Sequence, residues 1–146
     1  MNSGQQPRAA QRILIVEDNA LIAKFFRMAL ERAGGFSCLV SEDVPFMLRE
    51  VEEGSVDLVL LDISLSHAEW EGKPIDGVAL CRLIKARSPR SLPVVLVTAH
   101  AMAGDEDRLL RESTANGYLQ KPIFEADLLV AKIRALLSTS SSGFAP

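Results

Sequence analysis

The stretch Val56-Asp57-Leu58-Val59-Leu60-Leu61-Asp62-Ile63-Ser64 decides the fold. A short run of Val and Leu bounded by polar residues reads as a β-strand, Asp57 to Leu61, buried on both faces. The strand delivers a carboxylate, Asp62, at its C-terminal end. Open parallel α/β sheets collect their chemistry beyond the carboxyl ends of the strands, so the other apolar runs matter for where they stop. Upstream, Arg12-Ile13-Leu14-Ile15-Val16 stops at Glu17-Asp18. Downstream, Val94 to Val97 stops at Thr98, and a brief Gly117 to Leu119 strand leads to Lys121-Pro122. As neighbours in one sheet, these strands bring three acids, a hydroxyl and an ammonium to one rim.

Between the strands the apolar spacing becomes helical. Asn19 is placed to cap a helix whose inward stripe is Leu21, Ile22, Phe25, Phe26, Met28, Ala29 and Leu30. Gly34-Gly35 ends it, and Phe36 to Val40 reads as the second strand. Ser41 or Asp43 caps the next helix, which tolerates Pro45 in its first turn and stops at Gly54. Ile63 to Ile75, with Trp70, Gly72 and Pro74, fits no period and predicts a long loop. Asp76-Gly77 opens a third helix; Ala101 to Ala115 gives a largely polar fourth and Phe124 to Leu137 an amphipathic fifth. Strand and helix alternate five times, which specifies a doubly wound α/β fold: a five-stranded parallel sheet with helices on both faces. The expected organisation is one domain over residues 12–138, between a flexible leader, 1–11, and a flexible Ser-rich tail, 139–146.

Bulk properties narrow the function. A chain of 146 residues supports a core without staples. A formal net charge of −3 argues against direct nucleic-acid binding. No apolar run approaches the roughly 18 residues of a membrane span, and residues 1–11 lack the apolar centre of a secretion signal. A cytoplasmic protein with no membrane contact is the expectation. Cys38 and Cys81 lack metal-ligand spacing and read as small hydrophobes rather than a disulfide.

Five pieces in order carry a family resemblance: Ile13-Leu14-Ile15-Val16-Glu17-Asp18-Asn19, Leu60-Leu61-Asp62-Ile63, Asp76-Gly77, Val97-Thr98-Ala99 and Gly117-Tyr118-Leu119-Gln120-Lys121-Pro122. Over residues 11 to 137 the chain resembles the receiver domain of bacterial response regulators in two-component signal transduction. The resemblance implies a flavodoxin-like strand order, 2-1-3-4-5. It implies that Asp62 accepts a phosphoryl group from a phosphohistidine on a sensor histidine kinase or a histidine phosphotransferase. Mg²⁺ is the implied cofactor, held by Asp18, by Glu17 mainly through water, by Asp62 and by the backbone carbonyl of Ser64. Mg²⁺ suits carboxylate, carbonyl and water oxygens, and crowded carboxylates repel unless a cation sits among them. Lys121, after a cis bond to Pro122, would pair with the transferred group. Thr98 would donate its hydroxyl, and Ala99 leaves room. Thr98 and Tyr118 would form the switch, with Tyr118 turning inward as Thr98 moves.

The same resemblance implies a signalling protein with self-catalysed phosphorylation and dephosphorylation rather than a turnover enzyme. The sequence reads as a stand-alone receiver, so its output would be contact with a downstream protein or phosphorelay. A homodimer through helix four, strand five and helix five is a further expectation. Plain packing for Tyr118, a solvated Lys121, a capping Thr98 and a turn role for Asp76-Gly77 are the competing readings of single residues.

Departures from the family's pattern are local. Asp62 and Asp76 lie farther apart than the family's spacing, so the loop after strand three carries an insertion with His67, Glu69, Trp70, Glu71 and Lys73. Ser66 replaces the family's usual Pro, and Thr114 stands where a helix-ending Gly is common. Trp70 is either a partner anchor or cover for a local apolar patch. Ser64 and His100 occupy positions that influence phosphoryl lifetime in the family.

Three rivals remain. A phosphorylation-independent receiver-like binding module would not need the complete acid set. An aspartyl-nucleophile phosphatase would carry a second Asp where Ser64 stands. A flavin-binding protein would place phosphate where Glu17 and Asp18 repel it.

Overall fold

The structure, a computed structural model, describes residues 10–99, 105–123 and 125–142. In chain order it contains β1 (Arg12–Val16), α1 (Ala20–Met28), β2 (Ser37–Val40), α2 (Val44–Glu52), β3 (Leu58–Asp62), β4 (Glu69–Trp70), β5 (Lys73–Pro74), α3 (Gly77–Arg87), β6 (Val94–Thr98), α4 (Asp105–Ser113), β7 (Gly117–Gln120) and α5 (Ala126–Ser142). Five strands form one sheet in the order β2-β1-β3-β6-β7, and every pair in it is parallel. With the small β4–β5 pair set aside, this is the expected 2-1-3-4-5 order.

Residue alternation along the strands separates two cores. Leu14, Val16, Val59, Leu61, Val94 and Leu96 pack with Met47, Leu48, Leu80, Ile84 and Leu109, so α2, α3 and α4 cover that face. Ile13, Ile15, Leu58, Leu60, Val95 and Val97 pack with Phe26, Leu30, Leu129 and Ile133, so α1 and α5 cover the other. Every residue of β3 and β6 is buried. Each fully buried Leu or Ile contributes about 1.5–3 kcal/mol relative to exposure, which holds the two central strands in place. The strand ends that carry the acids rest on this base.

Side-chain caps set the helix starts. Asn19 Oδ1 accepts from the N–H groups of Leu21 and Ile22 at 3.0 and 3.1 Å. Asp43, rather than Ser41, caps α2 by accepting from Phe46 N–H at 3.3 Å. Asp76 caps α3 through Ala79 N–H at 2.8 Å. These contacts satisfy backbone donors that an uncapped helix end leaves open.

Several expectations need correction. Residues 63–75 are not simply a long loop: β4 and β5 pair antiparallel, Glu69 with Pro74 and Trp70 with Lys73. Their two-residue turn, Glu71-Gly72, has φ of 54° and 79°, the positive values that the right-handed twist of a tight hairpin favours. Trp70 is half-buried against the α2/α3 core, with the Arg87 guanidinium 5.5 Å from its ring centroid. That is the covering role.

The expected tail also begins too early, since α5 continues through Ser142 and Thr139 Oγ1 donates to Ala135 C=O at 3.0 Å. After α1 the chain widens into a π-helical turn, Ala29–Ala33, before Gly35 takes φ +72°. Phe36 precedes β2 rather than opening it, and is buried beneath α1. Leu21, expected inward, is 80% exposed.

Thr114 holds the left-handed conformation, φ 64°, that a glycine would take more easily. Cys38 and Cys81 are free and belong to opposite cores, and burial pushes their thiols up to about 12 and about 11. Residues 1–9 of the expected leader, 143–146 of the expected tail, the expected helix start at 101–104, His100 and Phe124 lie outside the described residues.

Candidate functional site

Sheet register sets the rim. Val16 is level with Leu61, Asp62 with Val97, and Thr98 with Gln120. Glu17, Asp62, Thr98 and Lys121 therefore leave four adjacent strands, each within one residue step of the one on the neighbouring strand. Glu17 and Asp62 are each 3% exposed and Thr98 is 1% exposed. Two backbone bonds close the rim: Ile63 N–H to Val97 C=O at 3.0 Å and Lys121 N–H to Thr98 C=O at 2.7 Å. The Lys121–Pro122 bond is cis, as expected.

The Lys121 ammonium stands between two carboxylates, 2.9 Å from Glu17 Oε1 and 3.2 Å from Asp62 Oδ2. Asp62 Oδ1 accepts from Ser64 N–H at 2.9 Å, and Glu17 Oε2 from Asn19 N–H at 3.1 Å. The Lys121 ammonium is the cation paired with the buried Glu17 Oε1. Burial raises the Glu17 carboxyl above its ordinary 4.5, against the pull of Lys121 and with help from the Asp62 charge. For Lys121, burial pushes the ammonium down, but Glu17 and Asp62 outweigh it and the net shift is upward from 10.5.

Asp18 is half-buried and turned toward the inserted segment. Its Oδ2 accepts from Ser66 Oγ at 2.8 Å and from Ser66 N–H at 3.2 Å. The Ser66 hydroxyl is the main reason that the Asp18 carboxyl lies below its usual 3.8, burial working the other way. Ser66 is the site residue that sequence reasoning missed. Its signal was present, a hydroxyl in place of a Pro just after the acceptor strand, but its partner 48 residues away was not visible in spacing.

Carboxylate oxygens of Glu17, Asp18 and Asp62 lie within 4.8 Å of one another. Three buried or half-buried acids beside one ammonium leave surplus negative charge and fit a hard divalent cation that takes oxygen ligands. Mg²⁺ suits the set. Ser64 reaches the site through its N–H; its carbonyl as a ligand stays an expectation.

Tyr118 lies on β7 beside Leu96, and strand alternation puts Leu96 and Thr98 on the same face as its ring. The ring is buried, with 9% of the residue exposed. Its hydroxyl has no hydrogen-bond partner among the described residues. Burial, then Glu106 and Asp105, raise its ionisation above 10.0. Beside Lys121, the cis peptide and α1 enclose an apolar groove of about 320 Å³, lined by Leu21, Ile22, Phe25, Pro122 and Ile123.

Comparison with known proteins agrees with this geometry. The sequence model of the response regulator receiver domain matches residues 13–134. The DNA-binding response regulator MtrA of Mycobacterium tuberculosis is 38% identical over 127 residues, covering 87% of this chain and 50% of MtrA. The chain thus spans about half the length of the MtrA regulators it matches. The polar-differentiation response regulator DivK of Brucella anthropi is 35% identical over 112 residues, covering 76% of this chain and 84% of DivK. Among solved structures, the receiver domain of NtrX from Brucella abortus superposes with a TM-score of 0.70 at 29% identity, covering 88% of this chain and 99% of that one. A CheY-like receiver domain protein from Methanospirillum hungatei gives 0.75 at 23% identity, over 92% of this chain and 99% of that one, which speaks for the fold.

Proposed function

The chain belongs to the response regulator receiver domain family, and from that premise we propose that Asp62 accepts a phosphoryl group from a phosphohistidine with the help of Mg²⁺. The observation that carries the reading is the single rim where Glu17, Asp18, Asp62 and Lys121 meet. Two-component signalling is the setting that the family supplies.

A carboxylate oxygen of Asp62 attacks phosphorus, an acyl phosphate P–O bond forms, and the P–N bond to the donor imidazole breaks. The imidazole nitrogen leaves with the bonding pair and takes up a proton. Glu17 and Asp18 would hold Mg²⁺, with Asp62 and the Ser64 carbonyl completing the protein's share. A divalent cation held there would neutralise charge on the transferring oxygens. Lys121 already lies within ion-pair distance of the acceptor, so its ammonium is placed to follow the negative charge onto the phosphoryl group. Ser64 N–H fixes the rotation of the acceptor carboxylate. Thr98 would donate its hydroxyl from the end of β6, and with Tyr118 on the same face it would form the switch pair.

Output runs through protein contact or onward phosphorelay. The donor is a histidine kinase or histidine phosphotransferase, and the apolar groove beside Lys121 gives such a protein a surface within reach of the acceptor. We read the protein as a signalling domain with self-catalysed phosphoryl chemistry, acting in the cytoplasm. Among the described residues no helix is long and apolar enough to cross a membrane.

Phosphoramidate carries the same P–N bond as phosphohistidine and tests the donor chemistry. Incubation with Mg²⁺ should place a hydroxylamine-labile phosphoryl group on the peptide containing Asp62. A hydroxylamine-stable label, or a label elsewhere, contradicts the reading.

A further inference from the structure

The insertion after β3 reaches back across the chain to touch the acid cluster at one residue. Ser66 is exposed, yet both of its donors converge on one atom, Asp18 Oδ2. The hydroxyl proton goes to Asp18, and a hydroxyl lone pair faces His67 Nδ1 at 3.2 Å. A carboxylate oxygen has two lone pairs, so Oδ2 is fully engaged and Oδ1 is the oxygen left for a metal. Ser66 does not hang on a slack loop. Ile75 N–H closes onto Ala68 C=O at 3.0 Å, Ala68 is buried, and the hairpin beyond it rests on α2 and α3 through Trp70 and Arg87.

We propose that Ser66 is a positioning residue for the metal site: it grips Asp18 Oδ2 from two sides so that Oδ1 faces the ion, and it ties the inserted hairpin to that site. The inference rests on the reading of Glu17, Asp18 and Asp62 as Mg²⁺ ligands. Without the grip, Asp18 rotates among orientations that do not ligate, and binding must bear the cost of fixing it. Donors to ligating carboxylates are worth about 10–100-fold in metal affinity.

Calorimetric titration of the full chain with Mg²⁺ alone tests this. Ser66→Ala keeps the backbone N–H but loses the hydroxyl, and should weaken Mg²⁺ binding about 10-fold. Ser66→Thr keeps both donors and should restore binding to near the wild-type level. Thermal melting in EDTA, with Ser66→Ala unchanged from wild type, separates lost positioning from lost fold. Wild-type affinity in Ser66→Ala, or tighter binding, overturns the inference while leaving the metal site standing. Should the wild type bind no Mg²⁺, or bind it equally well as Asp18→Ala, the metal-site reading falls and the inference with it.

Discussion

Lys121 Nζ lies 3.2 Å from Asp62 Oδ2, joining residues that are 59 positions apart in the chain. The same ammonium neutralises Glu17 at 2.9 Å, so one cation serves two buried acids. Lys121→Met removes it and leaves the acids facing each other. The metal-free variant should lose about 2 kcal/mol at neutral pH, the scale of charged hydrogen bonds to a partly exposed group. Mg²⁺ should then raise the melting temperature of the variant more than that of the wild type, because it replaces a missing charge. Thermal melts with and without Mg²⁺ check both statements.

Acid should weaken metal binding through Glu17. Burial raises its folded pKa above 4.5, so a proton competes with Mg²⁺ at a higher pH than an ordinary glutamate allows. For the metal-free fold, this group's contribution is fully present below 4.5 and is lost as pH rises through the raised value. For Mg²⁺ binding the sign is opposite: affinity falls as pH drops through that value. Glu17→Gln should bind Mg²⁺ more weakly throughout and lose this acid limb. Calorimetric titrations over a series of acidic pH values measure the limb directly.

Gly77 is required by space rather than by an unusual backbone angle. A Cβ there would stand 2.3 Å from Ile63 Cα and 3.0 Å from the Asp62 carbonyl oxygen. Both obstacles are backbone, so α3 or the acceptor loop must move. Gly77→Ala should destabilise the fold by about 3 kcal/mol, the upper range for overpacking, and slow phosphorylation of Asp62. Urea denaturation and initial phosphorylation rates test the two effects separately.

The sheet and its rim were legible because the signals are local and repeated. Val59, Leu60 and Leu61 mark a buried strand by composition alone, and Asp62 follows at its end. Asn19 and Asp76 declare their helix starts by cap chemistry. Departures came where a long-range contact or a weak local preference decides. Glu71-Gly72 makes a tight hairpin turn without the Asn or Asp that usually signals one. Ser138 to Ser142 offers no apolar stripe, yet α5 propagates through it once nucleated. The exposed Leu21 lies on a helix whose stripe is broader than the surface it covers. Ser66 and Asp18 meet only in three dimensions.

The central claim is that Asp62 accepts the phosphoryl group in a metal-dependent reaction. Intact-mass spectrometry after incubation with acetyl phosphate and Mg²⁺ tests it most directly. The wild type should gain the mass of one phosphoryl group, and should gain none when EDTA removes the metal. Asp62→Asn should gain none under either condition. Equal phosphorylation of Asp62→Asn, or phosphorylation of the wild type unaffected by EDTA, would contradict the account.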